Sequence, residues 1–166
     1  MNDNKHLLIS LEERHALNIF AGTKRVELRR REMNVEPGAT VWIYVKLPVG
    51  CVTGYAVVDK THTMSPTQLW RRFGSWSGLE RAEFFNYFVG VSKAFALELR
   101  DTHVLPNPIP LATLRKASNG FQPPQFFSRI EAGGSLLKMM TAVKRQGRSD
   151  VLGQTPLPSS LPAAYA

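Results

Sequence analysis

The sequence predicts an α+β domain: a small, mostly antiparallel sheet of about five to six strands, curled towards a barrel, with helices against it. Three observations carry this reading. Apolar residues recur at every second position in separate runs (Val26 and Leu28; Val41, Ile43 and Val45; Phe95, Leu97 and Leu99), the period of strands with one buried face. Capped helical segments fall between groups of strands instead of alternating with them, so no βαβ series is indicated. A glycine-rich phosphate loop is absent from the sequence.

The elements justify themselves in chain order. Leu7-Leu8-Ile9 within His6 to Ser10 suits a buried first strand. Ser10 with Glu13 three residues later reads as a capping box, opening a helix whose apolar side is Leu17, Phe20 and Ala21 and which Gly22 ends. The strand of Val26 and Leu28 follows, then the turn Glu36-Pro37-Gly38. From Thr40 to Lys46 one face is aliphatic, and the other carries Trp42, Tyr44 and Lys46. Pro48 and Gly50 lead into a longer strand, Cys51 to Thr63, in which Gly54 signals a bulge or bend.

Ser65-Pro66-Thr67-Gln68 combines a cap, an N1 proline and a glutamine at N3, and starts a helix with Leu69, Trp70 and Phe73. Ser77-Gly78-Leu79-Glu80 offers a second capping box, with a helix to Phe88 that ends at Gly90. Phe84, Phe85, Tyr87 and Phe88 cover too much of that helix for a single stripe, so part of the set should face a pocket, a partner or a covering loop. Ser92 to His103 reads as a strand, ended by Pro106, Pro108 and Pro110, before a short helix from Leu111 to Ala117. Aromatics then surround Pro123-Pro124, and Gly133-Gly134 marks a hinge. This divides the chain into a domain over 1–132, a basic helix over 133–145 and a disordered tail over 146–166, where Gly, Pro, Ser and Ala dominate.

Charge is the least ordinary property of the composition. Lys and Arg number 21 against 13 acidic residues, a net +8 that favours a polyanionic partner, nucleic acid above all. Cys51 is the single cysteine and the four histidines are scattered, so no metal site is expected. With no hydrophobic signal region and no membrane-length apolar run, the chain reads as cytoplasmic.

The most informative stretch is Ala21 to Arg31. Alternation puts Glu27 and Arg29 on the face opposite Val26 and Leu28, the wetter face by this reading, with Lys24 at the strand entrance. One carboxylate among cations can grip an anion or a nucleobase; a solvated edge strand is the plainer alternative.

Following a strand and a helix, Gly22-Thr23-Lys24-Arg25-Val26-Glu27-Leu28-Arg29 resembles the Gly-x-Lys-x-x-Glu-x-Arg motif of the ASCH domain in the PUA-like superfamily. Pro37-Gly38 ahead of Val41-Trp42-Ile43-Tyr44, the Gly54 strand and Pro123-Pro124-Gln125 support the similarity, which spans roughly Leu7 to Ile130. The resemblance implies a PUA-like β-barrel whose motif lines a cleft for RNA or a modified nucleobase. One branch of the family is an amidohydrolase acting on N4-acetylcytidine; it carries Thr where this chain has Glu27, so the expected hydroxyl nucleophile is missing. Another branch is a metal-dependent ribonuclease using Tyr, Lys and Ser. Tyr44 and Lys46 match the first two, whereas Phe126 follows Pro123-Pro124-Gln125 where the family places Ser, and Ser128 is shifted by two.

Two readings result. In the first, the chain is an RNA-binding module that contacts single-stranded RNA or a modified base through Lys24, Glu27, Arg29, Arg30, Tyr44 and Lys46. In the alternative it is an enzyme on RNA or modified nucleosides, with Lys24, Glu27, Tyr44, Lys46 and Ser128 as its acid, base and electrostatic groups. No cofactor is expected, and Mn²⁺ or Mg²⁺ enters only with nuclease activity. A third role, protein interaction, attaches to the basic segment around Met139-Met140.

Overall fold

The computed structural model describes residues 5–152. Six strands form one sheet: β1 (His6–Leu11), β2 (Val26–Arg29), β3 (Thr40–Val45), β4 (Cys51–Met64), β5 (Ala94–Pro110) and β6 (Phe127–Arg129). Their order is β2-β5-β4-β3-β1-β6, and only β1 and β3 run parallel. The five helices are α1 (Glu13–Phe20), α2 (Pro66–Phe73), α3 (Arg81–Tyr87), α4 (Leu111–Ala117) and α5 (Ser135–Leu152). The mostly antiparallel, curled sheet with flanking helices is the α+β arrangement expected.

Curling gives the sheet an inside and an outside, and strand alternation divides the core accordingly. Leu7, Ile9, Val41, Ile43, Val45, Phe95 and Leu97 fill the inside with Ile19 of α1. Leu8, Trp42, Tyr44 and Tyr55 face outwards and are covered by Leu114 of α4 and Met140 of α5. Val26 and Leu28 also face outwards, against Leu69 and Phe73 of α2 and Phe84 and Phe88 of α3. Both faces of β2 are therefore covered, and all four of its residues are buried.

Gly54 sets the bend in the long hairpin. A Cβ there would lie 2.2 Å from the His103 carbonyl oxygen and 2.5 Å from the Phe20 ring, and the β4–β5 register shifts beside it. Only glycine lets the two backbones and α1 come this close.

Several expectations change. Ser10 caps no helix: it belongs to β1 and donates its hydroxyl to the Pro124 carbonyl at 2.6 Å, while Glu12 precedes α1 without a side-chain cap. Ser77 likewise closes the 3₁₀ turn Gly74–Trp76, donating to the Gly74 carbonyl, and α3 starts only at Arg81. The capping box of Ser65 and Gln68 on α2 is present as read. The prolines do not end β5 at His103. They fall where β5 has β4 as its one sheet neighbour, since β2 pairs only with residues 95 to 98, and an edge tolerates missing N–H donors. β6 was not anticipated, being three residues long with a half-buried centre. α5 continues past 145 to Leu152, and Met140 is fully buried, so this helix packs on the sheet instead of offering its methionine to a partner. The rest of the expected tail, 153–166, lies outside the described residues. No helix of the described residues is long and apolar enough to cross a membrane.

Candidate functional site

Glu27 and Arg29 pair in register with Leu97 and Phe95, so all four side chains share the inner face of the sheet. The wetter face read from the sequence is thus the barrel interior, and Lys24, Glu27 and Arg29 are buried at 3%, 6% and 8% exposure. Period-two alternation identifies the second face of a strand but not what covers it.

The three charges stand in a row. Lys24 Nζ lies 3.5 Å from Glu27 Oε2 and donates to the Ser77 carbonyl at 2.9 Å. Arg29 Nη2 lies 3.2 Å from Glu27 Oε1, an ion contact without good alignment, and neither Nε nor Nη2 finds a hydrogen-bond acceptor. Burial pulls the Lys24 ammonium below its ordinary pKa, and the Glu27 carboxylate opposes the shift. Local structure holds the row in place. The amides of Thr23 and Lys24 donate to the Asn18 carbonyl at the end of α1, and Gly78, at φ +70°, lets its loop close on the Lys24 stem.

This row lies at the edge of a cleft of about 340 Å³, where Lys24, Glu27 and Leu28 form one wall. The turn from β1 into α1 supplies Ser10, Glu12, Arg14 and His15. Lys46, just past β3, stands at the rim, and Leu79, Glu83, Asn86 and Tyr87 close the far side. Arg14 reaches across from α1 to make a two-pronged pair with Glu83 of α3. Of the lining residues, Arg14, Lys24 and Lys46 match Glu12, Glu27 and Glu83, three cations to three carboxylates. Despite the net +8, the cleft itself is electrically balanced. Lys24 and Arg29, two of the cations read as a grip for an anion, are both dry and already share a carboxylate.

His15 was missed by sequence reasoning. It is half-buried, its Nδ1 is buried without a partner, and its pKa is lowered by burial first and by Lys24 and Arg14 next. Its position four residues before the buried Ile19, on the same side of α1, was the available signal. Tyr87 answers the question of the surplus aromatics: Phe84 and Phe88 are core, whereas Tyr87 lines the cleft and donates its hydroxyl to the Leu28 carbonyl.

The remaining expected site residues lie elsewhere. Tyr44 alternates with Ile43 and Val45 and so faces outwards, 2% exposed, beside Trp42. Burial, then the neighbouring Cys51, raises its pKa, against an opposing effect of Arg115. Ser128 pairs in register with Leu8 and shares that outer face. Arg30 is exposed and donates to the Tyr87 and Val89 carbonyls at the end of α3. The structure therefore brings Lys24, Glu27 and Lys46 together, with Arg29 behind Glu27, and separates Tyr44 and Ser128 from them by the sheet.

Among the described residues no group of three or more His, Cys, Asp or Glu converges as a metal site. Glu27 is engaged by Lys24 and Arg29, and Glu83 by Arg14. Glu12, the third carboxylate of the cleft, is exposed and lies 3.6 Å from Arg14 Nε.

Comparison with known proteins agrees with this fold. No family model matches the chain. A protein of Zymomonas mobilis subsp. mobilis named ASCH domain-containing ribonuclease is 38% identical over 123 residues, 74% of this chain and 82% of the relative. Two crystal structures of the ASCH protein of Zymomonas mobilis superpose at 33% identity. One, a serine-to-alanine variant, gives a TM-score of 0.78 over 86% of this chain and 99% of its own. The other gives 0.77 over 83% and 95%. The N-terminal domain of Staphylothermus marinus McrB, at 11% identity and a TM-score of 0.54, shares the fold alone. With the motif at the cleft and a relative matched over most of both lengths, the chain belongs to the ASCH domain family.

Proposed function

We propose that this ASCH domain is an RNA-binding module whose cleft receives one unpaired or modified base of single-stranded RNA. The observation that carries the reading is the buried Lys24–Glu27 pair at the wall of a charge-balanced cleft of about 340 Å³. That volume lies near the lower end of ligand sites and suits a base with its sugar. A neutral base loses little by leaving water for balanced walls, and its edge can exchange hydrogen bonds with the Lys24 ammonium and the Glu27 carboxylate. Phosphates stay at the rim, near Lys46, which is exposed. The reading applies to a cytoplasmic protein, where single-stranded RNA is available.

A second reading, an enzyme acting on RNA, is favoured by the name of the Zymomonas relative. A desolvated lysine beside a carboxylate is a pair that can move a proton, and Lys24, Glu27 and His15 are the groups within reach of the cleft. Tyr44 and Ser128 contribute to such chemistry only from the other face of the sheet. One experiment separates the readings: labelled single-stranded RNA is incubated with the protein with and without Mn²⁺, and retardation and cleavage are both scored. The binding module predicts retardation of intact RNA that is weakened at least tenfold by Lys46→Glu, a rim change that spares the buried row. Cleavage that the same variant suppresses makes the protein a ribonuclease.

A further inference from the structure

We propose that the groove between α5 and the bent part of β5 is a second binding site, which holds one nucleotide of a single-stranded RNA. The groove has a volume of about 360 Å³ and shares no lining residue with the cleft. Its chemistry is the opposite of the cleft's. Lys144, Arg148 and His103 line it without a single carboxylate.

Lys144 is the most telling group. Its Nζ lies 4.2 Å from the centre of the Tyr55 ring and 5.9 Å from that of Trp42. The side chain is half-buried, and among the described residues no carboxylate pairs with it. Burial and the nearby Arg148 both act against its charge. An anion at this point relieves that cost, because it supplies a counter-charge that the described residues do not.

His103 gives the site its second half. Its ring stacks on Tyr55 at 5.0 Å and 28°, and the residue is exposed, which gives a base an aromatic surface to stack on. Val104, 61% exposed, and Pro106 make an apolar wall beside it. The exposed imidazole beside two cations that no carboxylate of the described residues neutralises matches a base and its phosphate on a single strand. A bare phosphate or an acidic peptide has no use for that aromatic surface.

The proposal shares the choice of RNA with the reading above but does not depend on the cleft. The test measures fluorescence anisotropy of a labelled oligouridylate of about twelve nucleotides across a salt series. It uses the full chain, His103→Ala, Lys144→Met and the cleft variant Lys46→Glu, each with its melting temperature checked. His103→Ala should weaken binding about fivefold or more, the loss of one stacked base. Lys144→Met keeps the stem over Tyr55 and should lower the salt slope by about 0.7, one phosphate contact on a single strand. Unchanged affinity and slope in both groove variants, with Lys46→Glu impaired, overturns the groove and leaves the cleft standing. Impairment in the groove variants alone overturns the cleft and supports the groove. Uridine monophosphate bound as tightly as the oligonucleotide overturns the assignment to a strand, and absence of RNA binding by the unaltered chain overturns both sites.

Discussion

Glu27 is the residue on which the local electrostatics turn. Its two oxygens face two cations, and all three side chains are nearly dry. Glu27→Gln would leave two buried cations without a counter-charge, and breaking a buried ion network from one side costs about 3–5 kcal/mol. Urea unfolding should show a loss of unfolding free energy of that order, with RNA binding lost. Glu27→Gln with unaltered stability would mean the row is better solvated than its burial indicates. The motif residues were readable from their spacing; their burial was not, because alternation says nothing about what covers the second face. That is also why Tyr44 was grouped with Lys46. They alternate on paper, but Tyr44 points outwards within β3, and Lys46 lies beyond the strand's end at the cleft rim.

His15 makes the same region sensitive to pH. Its pKa in the fold lies below the ordinary 6.5, with Lys24 and Arg14 adding to the burial and Glu27 and Glu12 opposing. Below about pH 6.5 the unfolded chain therefore binds more protons at this residue than the folded one. Its contribution to stability is complete above that pH and is lost as the pH falls towards the lowered value. Denaturation at about pH 7.5 and about pH 5.5 should show a smaller acid-induced loss in His15→Gln than in the unaltered chain. His6, whose pKa burial also lowers, adds a loss of the same sign that His15→Gln leaves in place.

At the scale of elements, the long β4–β5 hairpin positions everything else. It pairs with β3 on one side and β2 on the other, so it links the strand that carries the motif to the rest of the sheet. Gly54→Ala would drive a methyl group into the His103 carbonyl and the Phe20 ring. The expected cost is about 1–3 kcal/mol or more, since the contact on one side is backbone, and thermal melting checks it. β2, β3, β5 and α2 could be read because apolar residues recur at every second position of those strands and the cap of α2 is local. Ser10 and Ser77 carried the same cap spacing and failed, since the Pro124 and Gly74 carbonyls took their hydroxyls. β6 left no signal because an edge strand of three residues has too little alternation to register.

For the whole molecule, net charge and site charge have separate roles. The excess of eight positive charges lies outside a cleft whose own walls balance. On the proposed reading, the surface charge attracts the RNA backbone and the balanced cleft receives a neutral base. Whether RNA enters the cleft is decided by amide mapping with NMR, in which isotope-labelled protein is titrated with single-stranded RNA. RNA held in the cleft should give the largest shifts at Arg14, His15, Lys24, Glu27, Leu79 and Tyr87. Saturable RNA binding that leaves those amides unmoved would contradict binding there.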